Sequence, residues 1–246
     1  MNDSGDGEAR WAPLGRALLD YHHGATEAVL TVHSNLWEDE PTRVEEFYRP
    51  MEVELPEIER RALALCRGRV LDLGAGAGRH VLELQRTGRE VVAVDVNRDA
   101  IEVMHDRGVR DARIGDIDAT GTEKFDTILL MMHGIGLVGD LGGLEAFLDR
   151  ARRRLRPNGQ VLCESADLSI VLPETWEEFG GHDNPEGRYL GEVIFRLSYG
   201  EMEGAPYPWL FVDAQTFERF AEAADFSFTV EARGARGAYL ARLVRT

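Results

Sequence analysis

The stretch from Arg69 to His80 reads R-V-L-D-L-G-A-G-A-G-R-H, and it restricts the fold more than any other part of the chain. Val70, Leu71 and Leu73 form an apolar run that predicts a strand. Alternating glycines follow at Gly74, Gly76 and Gly78, and a helical pattern opens near Arg79. Glycine has no Cβ, so such a turn can take positive φ and admit a ligand close to the backbone. At the start of the helix, free N–H groups and the helix dipole face that ligand. A strand, a glycine turn and a helix in this order make a nucleotide-type cofactor site.

The next strand, Glu90 to Asp95, ends in a carboxylate 21 residues after Gly74. An acid there accepts hydrogen bonds from both hydroxyls of a ribose, and NAD would use it equally well. The glycine spacing separates the two cases. A dinucleotide fingerprint asks for Gly-x-Gly-x-x-Gly, and the third glycine position is occupied by Arg79. Asp72 also stands two residues before the first glycine.

On these residues the chain resembles the class I S-adenosylmethionine-dependent methyltransferases. Asp72-x-Gly74-x-Gly76-x-Gly78 is similar to the first motif of that family, and Asp95 to the acid that ends its second strand. Gly115-Asp116-Ile117, after a short strand at 112–114, is similar to the segment whose Asp meets the adenine amino group. Phe125 to Met132 resembles the fourth strand, and Leu155 to Leu162 the turn into the fifth. The resemblance implies that the cofactor is S-adenosyl-L-methionine. It implies a cofactor-binding set of Asp72, Gly74, Ala75, Gly76, Asp95, Val96, Asp116, Ile117 and Met132. It also implies a doubly wound α/β fold with a mostly parallel seven-stranded sheet and helices on both faces.

Along the chain, Met1 to Arg10 is polar and acidic and reads as a frayed tail, not a signal peptide. Leu14, Ala17, Leu18 and Tyr21 predict an amphipathic helix, and Thr26 to His33 a second one. Residues 34–56 read as an irregular lid-like segment. Pro56 opens a helix through Cys66. Helices are expected near 79–87, 98–107 and 140–155, alternating with strands, which implies a parallel sheet. Past the fifth strand, residues 165–190 read as loop. The runs Glu192–Tyr199 and Tyr207–Val212 then read as an inserted β-hairpin. Asp213 caps a further helix, and two strands near 226–232 and 237–244 close the sheet. The expected organisation is an N-terminal helical cap or lid over 1–56 and a methyltransferase domain over 57–246, with an acceptor-side insert at about 165–212.

Residues at the carboxyl ends of the strands are the candidates for chemistry. His133 directly follows the fourth strand, at a position that borders the transferred methyl in the resembled family. It reads as a general base or acceptor-orienting group, or as a histidine behind the site bonded to a loop carbonyl. The sequence His133-Gly134-Ile135-Gly136 departs from the Asn/Asp-Pro-Pro-aromatic signature of amino-methylating members, and so argues against methylation of DNA bases or amides. His22, beside His23 and Gly24, is a second catalytic candidate at a helix end, or a surface residue capping carbonyls. Arg49, beside Tyr48, offers a guanidinium fork for the cofactor's carboxylate. Glu164 and Asp167 either face the acceptor or cap a loop. The insert is rich in aromatic groups, among them Trp176, Phe179, Tyr207, Trp209 and Phe211, mostly for packing and in part for an apolar acceptor pocket.

The formal charge of −16 lacks the basic face a phosphate backbone needs, which excludes nucleic acid and an anionic membrane surface as partners. No apolar run approaches the ~20 residues of a membrane span. Two cysteines in apolar contexts fit a reduced, cytoplasmic protein, and no Cys/His spacing suggests a metal. The expected reaction is O-, N- or C-methylation of a small-molecule acceptor by a monomer or homodimer. The alternatives are an NAD(P)-dependent Rossmann oxidoreductase and a non-catalytic cofactor-binding subunit.

Overall fold

The computed structural model of the chain describes residues 4–172 and 188–246. Its main sheet has seven strands: β3 (Val70–Leu73), β4 (Val91–Asp95), β5 (Ala112–Ile114), β6 (Phe125–Leu130), β7 (Leu155–Ala166), β11 (Phe226–Arg233) and β12 (Ala238–Arg245). The order across the sheet is β11-β12-β7-β6-β3-β4-β5. β4 and β5 pair in parallel, as do β6 and β7, whereas β12 runs antiparallel to both β7 and β11. All four residues of β3 are buried, as expected of a parallel strand covered on both faces. The antiparallel last strand is the second of the two predicted at the C-terminus.

Helices α3 (Glu57–Leu65), α4 (Arg79–Arg86), α5 (Arg98–Asp106) and α6 (Leu141–Arg154) lie where the apolar spacing predicts them. α7 (Ala214–Ala223) is capped by Asp213, whose carboxylate accepts from Thr216 N at 2.9 Å. Among the described residues, no helix is long and apolar enough to cross a membrane.

The N-terminal segment differs from the sequence reading. Helix α1 (Ser4–His22) begins where a frayed tail is expected. The predicted helix at 26–33 is instead strand β1 (Val29–Ser34). Val29, Thr31 and Val32 are β-branched and stiff at χ1, and two antiparallel partners supply the ladder that overrides the helical spacing. Those partners are β2 (Glu40–Arg43) and β8 (Glu192–Tyr199), with Thr31 opposite Pro41 on one side and Ser198 on the other. β2 is an edge strand, the position that tolerates Pro41. The supposed irregular segment therefore holds β2 and the short helix α2 (Val44–Tyr48). The predicted hairpin runs are the strands β8 and β10 (Tyr207–Leu210). With β9 (Met202–Glu203) they join β1 and β2 in a five-stranded second sheet ordered β10-β8-β1-β2, with β9 on β8. Trp176 and Phe179 of the aromatic insert lie outside the described residues.

By packing, the chain separates into two compact units. The first comprises Met1–Glu54, Leu71–Gly121 and Ile194–Tyr207. Its core includes Leu18, Leu30, Val44, Leu71, Val92 and Met104, and α1 packs on α5. The second comprises Leu55–Val70, Thr122–Val193 and Pro208–Thr246. Its core includes Phe125, Ile128, Leu144, Val161, Phe217 and Tyr239.

Candidate functional site

In the first unit, the glycine turn is built by conformation and by close packing. Gly74, Gly76 and Gly78 all have positive φ, at 69°, 54° and 76°. A Cβ at Gly76 would meet no atom within 4 Å, so the space beside this residue is open. A Cβ at Gly78 would lie 2.8 Å from Val109 Cγ2 and 2.9 Å from Met104 Cγ, so this glycine also seats the turn against its neighbours. Gly74 N and Ala75 N donate to the Val94 carbonyl at 2.9 and 3.2 Å, which ties the turn to the end of β4.

Asp95 closes the arrangement. Its Oδ2 accepts from Gly76 N at 2.8 Å and its Oδ1 from Asn97 N at 2.9 Å. An ionised carboxylate has about four acceptor positions, so it retains capacity for a ligand's hydroxyls. Its recessed position pushes the carboxyl up, opposed by the N–H groups of Asn97, Gly76 and Val96. Register brings the third segment alongside. Asp95 lies opposite Ile114, and Gly115 N donates to the Asp95 carbonyl at 2.9 Å. Asp116 is exposed and its carboxylate accepts from Asp118 N at 2.9 Å, while Ile117 beside it is buried.

Asp72 is 2% exposed, and its Oδ2 has no hydrogen-bond partner among the described residues. Burial pushes its carboxyl up to about 6, with His80 lowering it and Asp95 raising it further. A buried oxygen of this kind is costly unless a partner arrives. The open space at Gly76, the acceptors of Asp95 and the orphaned oxygen of Asp72 fit a ligand with sugar hydroxyls and a cationic group. A nucleoside joined through a sulfonium to the side chain of an amino acid has both.

Two arginines that sequence reasoning did not assign to the site shape its rim. Arg107 Nη1 donates to Tyr48 O at 2.8 Å and to Ala77 O at 2.7 Å, and Nη2 donates to Arg49 O at 3.0 Å. Its guanidinium lies 4.1 Å from the centre of the Tyr48 ring. Burial draws its pKa below the usual arginine value. Arg107 thereby clasps the end of α2 to the glycine turn. Arg79 reaches Met51 Sδ at 2.9 Å, Val53 O at 3.0 Å and Glu83 Oε1 at 2.8 Å, and so holds the segment that follows. No spacing rule signals either arginine, because a charged residue at a helix end normally reads as solvated.

Arg49 is half-buried and sits in the left-handed region at φ 51°, as the C-cap of α2. His22 Nδ1 and Tyr48 OH share a hydrogen bond of 2.8 Å, and His22 Nε2 lies 3.6 Å from Asp106 Oδ2. Both ring nitrogens are thus engaged between α2 and α5.

Met132 and His133 belong to the second unit. Leu130 of β6 lies opposite Cys163 of β7, so the residues just after β6 meet the end of β7. Met132 N donates to Glu164 Oε2 at 3.0 Å. His133 Nδ1 lies 3.7 Å from Glu164 Oε1, and its ring meets Phe211 edge-on at 5.6 Å. Met132 and His133 both have φ 56°, an uncommon pair of successive non-glycine residues in the left-handed region. The following turn, Gly134–Val138, is covered by Trp209, and Pro208 packs against Gly139 just after it. A Cβ at Gly136 would lie 2.1 Å from the Trp209 ring, so only glycine fits under the indole. Tyr189 and Asp213 bond each other at 2.7 Å, which is a packing role.

A family model for methyltransferase domains matches residues 70–159. A solved structure of an S-adenosylmethionine-dependent methyltransferase from Bacteroides fragilis, in complex with S-adenosyl-L-homocysteine, is similar over nearly the whole chain. It is 35% identical, covers 97% of both chains and has a TM-score of 0.83. A demethylmenaquinone methyltransferase of Tropheryma whipplei is 30% identical over 102 residues, 39% of this chain and 41% of its own. A ubiquinone biosynthesis O-methyltransferase of Bradyrhizobium diazoefficiens is 31% identical over 121 residues, 46% of this chain and 44% of its own. The chain thus spans less than half the length of these curated relatives.

Proposed function

Because the chain belongs to the S-adenosylmethionine-dependent methyltransferases, we propose that it methylates a small-molecule acceptor at oxygen, nitrogen or carbon. The observation that carries this reading is the glycine turn closed on Asp95 by the 2.8 Å bond from Gly76 N, beside the unpartnered oxygen of Asp72. In this reading Gly74, Ala75 and Gly76 line the cofactor's path, Asp95 with Val96 takes the ribose, and Asp116 with Ile117 takes the adenine. Asp72 faces the ammonium and Arg49 the carboxylate. Met132 completes the cofactor set.

When bound, the cofactor would supply an electrophilic methyl on a sulfonium for a lone pair of the acceptor. The chain must hold the acceptor in line, an orientation effect that supplies ~7–11 kcal/mol in well-ordered systems. Where the acceptor atom carries a proton, His133 removes it. His22, held by Tyr48, supports the α2 turn that carries Arg49. The apolar cover of Trp209 and Phe211 suits a partly apolar acceptor, and the quinone-pathway relatives are compatible with one. Both cysteines are buried free thiols, which fits a reducing, cytoplasmic setting.

Calorimetric titration with S-adenosylhomocysteine and, separately, with NAD tests the cofactor. Binding of NAD alone would refute the reading. Incubation of the protein with cofactor and metabolite pools, followed by mass spectrometry, tests the activity. A mass gain of one methylene in a small molecule is expected, and tight cofactor binding with no methylated product would favour a non-catalytic subunit.

A further inference from the structure

Glu164 is a buried carboxylate, 7% exposed, at the end of β7. It reaches two successive residues of the neighbouring strand's exit. One oxygen accepts from Met132 N at 3.0 Å and the other faces His133 Nδ1 at 3.7 Å. The histidine's Nδ1 is buried and makes no hydrogen bond among the described residues, although 38% of the side chain is exposed. The two residues that Glu164 touches are also the two non-glycine residues held at φ 56°. Left-handed backbone is strained at such residues, and persists where the surroundings over-determine it.

We propose that Glu164 is a positioning residue for His133. It holds the strained Met132–His133 turn and fixes which ring nitrogen carries the proton. The inference rests on the reading of His133 as the proton acceptor. A carboxylate beside Nδ1 favours the tautomer with hydrogen on Nδ1, so the lone pair lies on Nε2. Nε2 takes the acceptor's proton, and the imidazolium that results stands next to the Glu164 charge. Phe211, edge-on to the ring, limits its rotation.

The other carboxylates of the adjoining segments are engaged elsewhere. Asp140 caps Gly143 N at 2.6 Å, Glu192 accepts from Leu141 N at 3.1 Å, and Asp213 bonds Tyr189 OH at 2.7 Å. On β7, Cys163 is a buried thiol whose pKa is raised by burial, and Ser165 bonds the Val212 carbonyl at 2.9 Å. Among the described residues, Glu164 is therefore the carboxylate that faces His133.

The test is nuclear magnetic resonance of the full chain labelled at histidine, with the His133 signal assigned from His133→Asn. Glu164→Gln keeps an acceptor for Met132 N but removes the charge. The population of neutral His133 with hydrogen on Nδ1, read from the ring nitrogen shifts, is expected to fall severalfold in this variant. Identical His133 ring nitrogen shifts in the wild type and Glu164→Gln would overturn the proposal. If Glu164→Gln does not fold, Glu164→Asp replaces it. Aspartate keeps the charge but withdraws it by one methylene, so an intermediate fall is expected and unchanged shifts overturn the idea. Failure of the base assignment looks different: His133→Asn would keep methyl transfer while the shift difference persisted.

Discussion

Gly15 lies within α1, where alanine would ordinarily add about 1 kcal/mol of helix stability. Here Gly15→Ala is expected to destabilise. Its Cβ would lie 2.1 Å from Asn97 Oδ1 and 2.3 Å from Nδ2. Asn97 cannot move aside freely. Its Oδ1 caps α5, accepting from Asp99 N at 2.9 Å and Ala100 N at 3.2 Å, and its Nδ2 donates to Trp11 O at 2.6 Å. Rotating it out loses an N-cap worth ~1 kcal/mol and a buried hydrogen bond worth ~1 kcal/mol. Set against the propensity gain, the net cost is about 1 kcal/mol, or roughly 2–4 °C in Tm for a chain of this size. Gly142→Ala in α6 is the control, because its Cβ would meet only Asp140 Oδ1 at an ordinary 3.4 Å. That variant should hold or raise Tm. Thermal unfolding followed by circular dichroism compares the two. If Gly15→Ala raises Tm as much as Gly142→Ala does, the close packing of α1 on Asn97 is refuted. Since Asn97 N also donates to Asp95, the same variant should weaken S-adenosylhomocysteine binding.

Asp72 makes the site costly when no ligand is bound. Its folded pKa, pushed up to about 6 from 3.8, means the folded state holds this proton more tightly than the unfolded state. Stability relative to Asp72→Asn should therefore fall as pH rises from 3.8 to 6 and level off above that. The expected loss is about 2 kcal/mol between pH 4.5 and 8, measured by urea unfolding without cofactor. An equal difference at both pH values would rule this out. Arg107→Ala removes the clasp on Tyr48, Arg49 and Ala77, and S-adenosylhomocysteine affinity should drop at least about tenfold by calorimetry. Arg107→Lys should recover little, because a compact ammonium lacks the planar fork that reaches three carbonyls at once. Unaltered binding in both variants would show that the α2 turn is irrelevant to the cofactor.

The strand-turn-helix-strand unit was legible because its signals are local. Asp72, the glycines and Asp95 lie within one strand-turn-helix-strand unit, where turn geometry and burial dictate residue type directly. Asn97 belongs with them as a missed but readable N-cap, since it stands immediately before a helical run. The sequence places Glu164 at the end of a strand and carries no sign of its partner. Only the pairing of Leu130 with Cys163 decides that Glu164 meets Met132 and His133, 32 and 31 residues away in sequence.

The chain's own order of residues determined the glycine turn, the acids that follow it and the alternation that makes a parallel sheet, since each depends on neighbours within a turn or two. Tertiary structure decided the rest. It turned Val29–Ser34 into a strand, because β2 and β8 complete its hydrogen bonds. It brought Arg107 onto the carbonyls of Tyr48 and Arg49, 59 and 58 residues away. It set α1 against Asn97 through Trp11, 86 residues away. Helical spacing and charge describe a residue's surroundings only along its own segment. Which carbonyl, carboxylate or ring completes it depends on a register and a packing that no single segment encodes.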